Sequence, residues 1–131
     1  MRVAGRAAIH LGCGAGETVG EKIKVPAVTL DEICADWPRV EIIKMDIQGA
    51  EGLALRGARQ TLARSSGALI VMELFPWGFT RMGDSWEKFI DLCRELNLEI
   101  SSAEGLDVVQ FCRENANNPA AYTNIELLIK N

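Results

Sequence analysis

Two carboxylates, Asp46 and Glu73, stand at the C-terminal ends of two apolar runs, Val40–Ile47 and Ala68–Leu74. Each run has the length and the β-branched content of a strand covered on both faces of a parallel sheet. In open α/β sheets ligands bind outside the C-terminal ends of the strands, so both acids fall where a site would lie. A carboxylate there can act as general base for a hydroxyl, or orient it. Glu51 is a third candidate, in the first turn of the helix that follows the first run. Each acid also has a structural reading. Asp46 can cap that helix, Glu51 can offset the positive end of the helix dipole, and Glu73 can be a polar strand end at the sheet rim. Asp46 and Glu51 with water would suit a hard divalent cation. Nothing in the sequence demands one, and no metal is expected.

The elements that would position these acids follow from period and punctuation. Thr29-Leu30-Asp31-Glu32 has the form of a capping box and predicts a short helix to about Trp37, ended by Pro38. Ile23–Val28, with Pro26, reads as an edge strand. Between the two apolar runs, Leu53, Ala54, Gly57, Ala58 and Leu62 form the apolar face of one helix from about Ala50 to Ala63. Phe75–Gly83 reads as a loop, with Trp77 and Phe79 as pocket lining or core anchors. Asp84 with Glu87 predicts a second capping box before Trp86, Phe89, Ile90, Cys93 and Leu96, an amphipathic helix. Leu98–Ser101 reads as a short strand, Val108–Glu114 as a helix started by Asp107, and Asn124–Ile129 as a closing strand. The resulting β-α-β-α-β-α-β order has crossovers long enough for right-handed parallel packing. Lys44, inside an apolar run, is expected to pair with a nearby carboxylate or to reach the rim.

The whole chain of 131 residues fits one domain, and 48% hydrophobic with 24% charged residues implies a packed core. A net charge of −4 gives no basic surface for nucleic acid or anionic membrane. No apolar run reaches a membrane span or a secretory leader, so the expected location is cytoplasmic. Cys13, Cys34, Cys93 and Cys112 contain no C-x-x-C pair, and His10 is the one histidine, a poor basis for structural zinc. Buried thiols in a reducing compartment are the expectation.

Three stretches together resemble the FkbM-like methyltransferases, which use S-adenosylmethionine (SAM). Val25-Pro26-Ala27-Val28-Thr29-Leu30-Asp31-Glu32 is similar to the family's V-P-x-x-T-L-D-[DE]. Ile43-Lys44-Met45-Asp46-Ile47-Gln48-Gly49-Ala50-Glu51 is similar to its I-K-[IM]-D-[VI]-[EQ]-G-x-E core. Leu55-Arg56-Gly57-Ala58 resembles the L-x-G-A that follows, and Val71-Met72-Glu73-Leu74 the acidic end of the next strand. The resemblance runs from about residue 22 to the C-terminus, leaving 1–21 as a Gly/Ala-rich lead-in. It implies an α/β fold, a partial Rossmann-like (class I methyltransferase) sheet with flanking helices, whose early strands are missing. It also implies SAM as cofactor, catalytic roles for Asp46, Glu51 and Glu73, O-methylation of a hydroxyl, and a small-molecule acceptor of glycan or polyketide type. Gln48 stands where relatives often carry an acid.

Ala8–Gly16 contains G-x-G-x-G after an apolar stretch and looks like a SAM loop. Such a loop needs a helix directly after it, and Glu17–Lys24 leaves no room for one. A Gly-rich hairpin or lead-in is the other reading. The alternative to an enzyme is a non-catalytic remnant of the fold that binds a partner or associates with itself, since an unpaired Val40–Ile47 edge invites strand pairing.

Overall fold

Apolar alternation drives the sheet of this protein, whose computed structural model describes residues 26–130. In chain order the elements are α1 (Leu30–Ile33), β1 (Ile42–Met45), α2 (Glu51–Arg56), α3 (Arg59–Ala63), β2 (Leu69–Leu74), α4 (Pro76–Arg81), α5 (Trp86–Glu95), β3 (Leu98–Ser101), α6 (Val108–Asn115) and β4 (Thr123–Ile129). The sheet order is β1-β2-β4-β3. β1 and β2 run parallel, with Lys44 opposite Val71 and Met45 opposite Met72. β4 runs antiparallel to both β2 and β3. The architecture is thus α/β with a mixed sheet and flanking helices, consistent with part of a methyltransferase fold.

The strand order corrects the expectation of parallel packing throughout. β4 inserts between β2 and β3 and buries Ile125, Leu127 and Ile129 at the sheet centre. Period alone shows which residues of a strand face the core, but not the strand's direction. A second correction concerns coverage. Met45, Ile70, Met72, Leu74, Ile125, Leu127 and Ile129 join Leu55, Leu62, Phe79, Phe89, Cys93 and Cys112 of the helices in one core. The opposite face carries Ile42, Lys44, Leu69, Val71, Glu73 and Glu126, all exposed or half-buried, so the strands are not covered on both sides.

The helix expected over Ala50–Ala63 breaks in two at Gly57–Ala58. The Gly57 carbonyl accepts from the Asp31 amide at 2.8 Å instead of from a following helical turn. A Cβ on Gly57 would sit 3.1 Å from Thr29, so glycine lets α1 dock there. Asp31 then caps α3 from outside. Its carboxylate accepts from the Thr61 amide at 2.8 Å and the Gln60 amide at 3.1 Å. Those are the orphan amides of a helix whose own N-cap, Ala58, has no side-chain acceptor. The capping box at Thr29 and Glu32 is present as expected, although α1 ends at Ile33.

Two further corrections lie around α4. The expected loop Phe75–Gly83 is a helix over Pro76–Arg81, with proline at its first position, where the missing N–H costs nothing. Phe79 is fully buried and stacks on Phe89 with ring centroids 5.0 Å apart. The cap of α5 is Ser85, whose Oγ accepts from the Lys88 amide at 3.2 Å. Asp84 is occupied elsewhere, as a bidentate partner of Arg56 at 2.9 and 3.2 Å. The apolar face of α5 packs as its spacing requires, with Phe89, Ile90 and Cys93 buried and Trp86 half-buried. Asp107 caps α6 by accepting from Gln110. The expected edge strand at Ile23–Val28 begins outside the described residues, and Pro26–Val28 form no strand.

Candidate functional site

The parallel pairing of β1 and β2 sets the ends of both strands side by side, and the two acids follow from that register. Asp46 comes directly after β1, and Glu73 is the penultimate residue of β2. They are bridged by one side chain. The Gln48 amide nitrogen donates to Asp46 Oδ1 at 3.1 Å and to Glu73 Oε1 at 3.0 Å. One NH2 group thus holds both carboxylates at the mouth of the sheet. The other oxygen of each has lone pairs to offer a hydroxyl or a cation. Asp46 remains 52% exposed, and its Oδ2 lies 4.0 Å from Lys44 Nζ. Lys44 therefore reaches the rim beside a carboxylate, as a charge in an apolar run requires.

The turn that carries Gln48 is built around backbone that side chains seldom tolerate. Gln48 has φ +54° and Gly49 φ +105°, both left-handed. The Gly49 position packs onto the backbone of Gly78 in α4, where no Cβ would fit. Glu51 holds the turn from inside. Its side chain is fully buried, and its carboxylate accepts from the Gly49 amide at 2.9 Å and the Ile47 amide at 3.4 Å. Burial raises the Glu51 pKa above the ordinary carboxylate value. The amides oppose the shift, and the nearby Asp46 charge adds to it. The structure thus brings Asp46 and Glu73 together around Gln48, and sets Glu51 behind them, facing the turn rather than solvent.

Sequence reasoning did not anticipate the bridging amide of Gln48. The signal was present: a glutamine two residues after Asp46 can close an amide on a carboxylate where an acid would repel it. The helix-cap alternative for Asp46 is not what forms. The N-cap of α2 is Ala50, which makes no side-chain cap hydrogen bond. Beside the site, Trp77 is half-buried, with Arg81 4.9 Å from its ring centre and Phe75 against its edge. Among the described residues no three His, Cys, Asp or Glu side chains are arranged to share a metal ion.

Below the site, Arg56 and Asp84 form a partly buried ion pair, with the Asp84 side chain 5% exposed. Burial works against ionisation of Asp84, but the Arg56 guanidinium and the Ser85 amide outweigh it and hold its pKa below the ordinary value. Gly52 permits this pair, since a Cβ there would lie 2.6 Å from Asp84 Oδ2. Cys34, Cys93 and Cys112 are free and buried. Burial pushes the thiols of Cys93 and Cys112 up to about 12, so they behave as inert packing groups. Cys13 and the glycine-rich segment 8–16 lie outside the described residues. No helix among the described residues is long and apolar enough to cross a membrane.

The comparisons with known proteins agree with this geometry. The family model of the methyltransferase FkbM domain matches residues 5–104, which takes in both acids, the Gln48 turn and the Gly-rich segment. No curated protein and no solved structure matches significantly. With most of its length covered by that domain, and its two strand-end acids bridged within it, the chain belongs to the FkbM methyltransferase family.

Proposed function

We propose that this chain serves SAM-dependent methylation of a hydroxyl oxygen on a small-molecule acceptor of glycan or polyketide type. The observation that carries the reading is the Gln48 amide bridging Asp46 and Glu73 at the ends of two parallel strands. Carboxylates held there in the ionised form are hydrogen-bond acceptors for a hydroxyl, and one can take its proton as the oxygen becomes a nucleophile. Asp46, the more exposed, is assigned that role. Glu73 orients the acceptor, and Gln48 keeps the two acids from repelling each other. Glu51 acts behind them by fixing the turn. SAM, when bound, supplies a positively charged methyl donor, and exposed carboxylates are suited to a cation. The unpaired, buried cysteines support a cytoplasmic location.

Calorimetric titration with SAM, followed by a methyl-transfer assay against hydroxyl-bearing acceptors at saturating SAM, tests the proposal. The sequence leaves no room for a helix after Gly16, so affinity weaker than low micromolar is expected, that is, less than about 8 kcal/mol of binding free energy. Transfer that depends on Asp46 supports the reading. Absence of transfer to every hydroxyl acceptor overturns it. A second reading, a non-catalytic remnant that binds a partner, is favoured by the open edge of β1.

A further inference from the structure

β1 hydrogen-bonds to β2 and, among the described residues, to no strand on its other side. The Leu69 amide donates to the Glu41 carbonyl, so Glu41, Ile43 and Met45 turn their backbone groups toward β2. In a parallel ladder the alternate residues turn theirs away, so Ile42, Lys44 and Asp46 present N–H and C=O groups to the open edge. Ile42 is 71% exposed on that edge. Beside it runs a groove of about 370 Å³ whose apolar walls include Val28, Leu30, Ile33, Ile43, Ile47 and Leu53. An open strand edge beside an apolar groove is a template for another strand.

We propose that the occupant is the same edge of a second copy of this chain, paired antiparallel about a two-fold axis at Met45. Charge and apolar character choose that register. With Met45 opposite its own counterpart, Lys44 stands opposite Asp46 of the partner subunit, and Asp46 opposite Lys44 of the partner subunit. Both are residues whose backbone groups face outward, as an antiparallel hydrogen-bonded pair needs. On the core side of the sheet, Ile43 then meets Ile47 of the partner subunit. A two-fold axis at Lys44 would set like charges face to face, which is unfavourable directly across strands. An axis at Ile43 would leave Asp46 opposite an apolar valine. Within one chain the Lys44–Asp46 contact is long and solvent-exposed, so both charges remain available to the partner. The pairing requires no SAM and stands apart from the methyl-transfer reading.

Sedimentation equilibrium across a concentration series, with amide hydrogen exchange on the same protein, tests the proposal. A reversible dimer with slowed exchange at the Lys44 and Asp46 amides is expected. Lys44→Asp and Asp46→Lys, each at an exposed position, should each weaken the dimer by about tenfold or more. The double swap, Lys44→Asp with Asp46→Lys, should bring association back, since it restores both cross-strand pairs. A dimer indifferent to these charges overturns the register. A monomer at every concentration overturns the proposal. Within that monomer, protected Lys44 and Asp46 amides assign the edge to another part of the same chain, and fast exchange shows an edge left unpaired.

Discussion

Gly49 and Gly78 meet backbone to backbone: a Cβ on Gly49 would lie 2.2 Å from both the carbonyl carbon and oxygen of Gly78. This contact locks the turn after β1 against α4, and the turn positions Gln48. The reverse contact is nearly as tight, since a Cβ on Gly78 would lie 2.9 Å from the Gln48 carbonyl oxygen. Gly49→Ala meets both a left-handed backbone and a wall of main chain. It should cost about 2–4 kcal/mol, read by urea denaturation. Gly67→Ala, also at positive φ but with open space around it, should cost only the backbone part, about 1–2 kcal/mol.

Asp46→Asn separates chemistry from architecture. Asparagine keeps an oxygen for the Gln48 amide but cannot take a proton. Methyl transfer at saturating SAM should fall by roughly 10²–10⁴-fold, while the melting temperature changes little. Near-normal turnover in Asp46→Asn would remove the general-base role.

Glu51→Ala should act in the opposite way, through stability first. It leaves two buried amides, those of Ile47 and Gly49, without their acceptor. A loss of about 2–4 kcal/mol is expected from the orphaned donors together with the vacated space, measured by chemical denaturation. Catalysis would suffer only through displacement of Gln48. The pH dependence has a definite sign. Because burial raises its folded pKa above 4.5, the Glu51 contribution is full below that pH and falls as pH rises through the folded value.

Arg56→Ala should show the converse profile. Asp84 has a folded pKa below its ordinary 3.8, so its pairing with Arg56 stabilises the fold above that pH and is lost as pH falls through the lowered value. The half-exposed arginine reduces the effect through solvent screening, to about 1–2 kcal/mol near neutrality. The difference between wild type and Arg56→Ala, followed by denaturation at several pH values, should shrink in acid below 3.8.

Legibility in the sequence followed the range of the interaction. Phe89, Ile90 and Cys93 report a helix face through local spacing alone, and Thr29 with Glu32 reports a cap three residues long. β1 and β2 were visible as apolar runs, and the placement of Asp46 and Glu73 at their ends followed directly. Asp31 was read as part of a local cap motif, yet its carboxylate serves a helix thirty residues on. No periodicity carries that information. α4 was read as a loop because proline and glycine usually punctuate, whereas here Pro76 opens the helix and Gly78 makes room for Gln48. Glu51 illustrates the same limit. A carboxylate in a first helical turn is ordinarily solvated, and only the left-handed turn ahead of it explains why its oxygens point inward.

The insertion of β4 between β2 and β3 has a consequence for synthesis on the ribosome. β2 and β3 emerge before the strand that joins them, and neither can complete its hydrogen bonds on that side until residues 123–129 have left the exit tunnel. Throughout that interval the nascent chain displays Ile70, Met72 and Leu74 with no neighbour for their strand, a condition that favours mispairing. Chaperone engagement should therefore be greatest just before β4 appears, and a stalled chain lacking those residues should be a better holdase client than any shorter one that stops before β2.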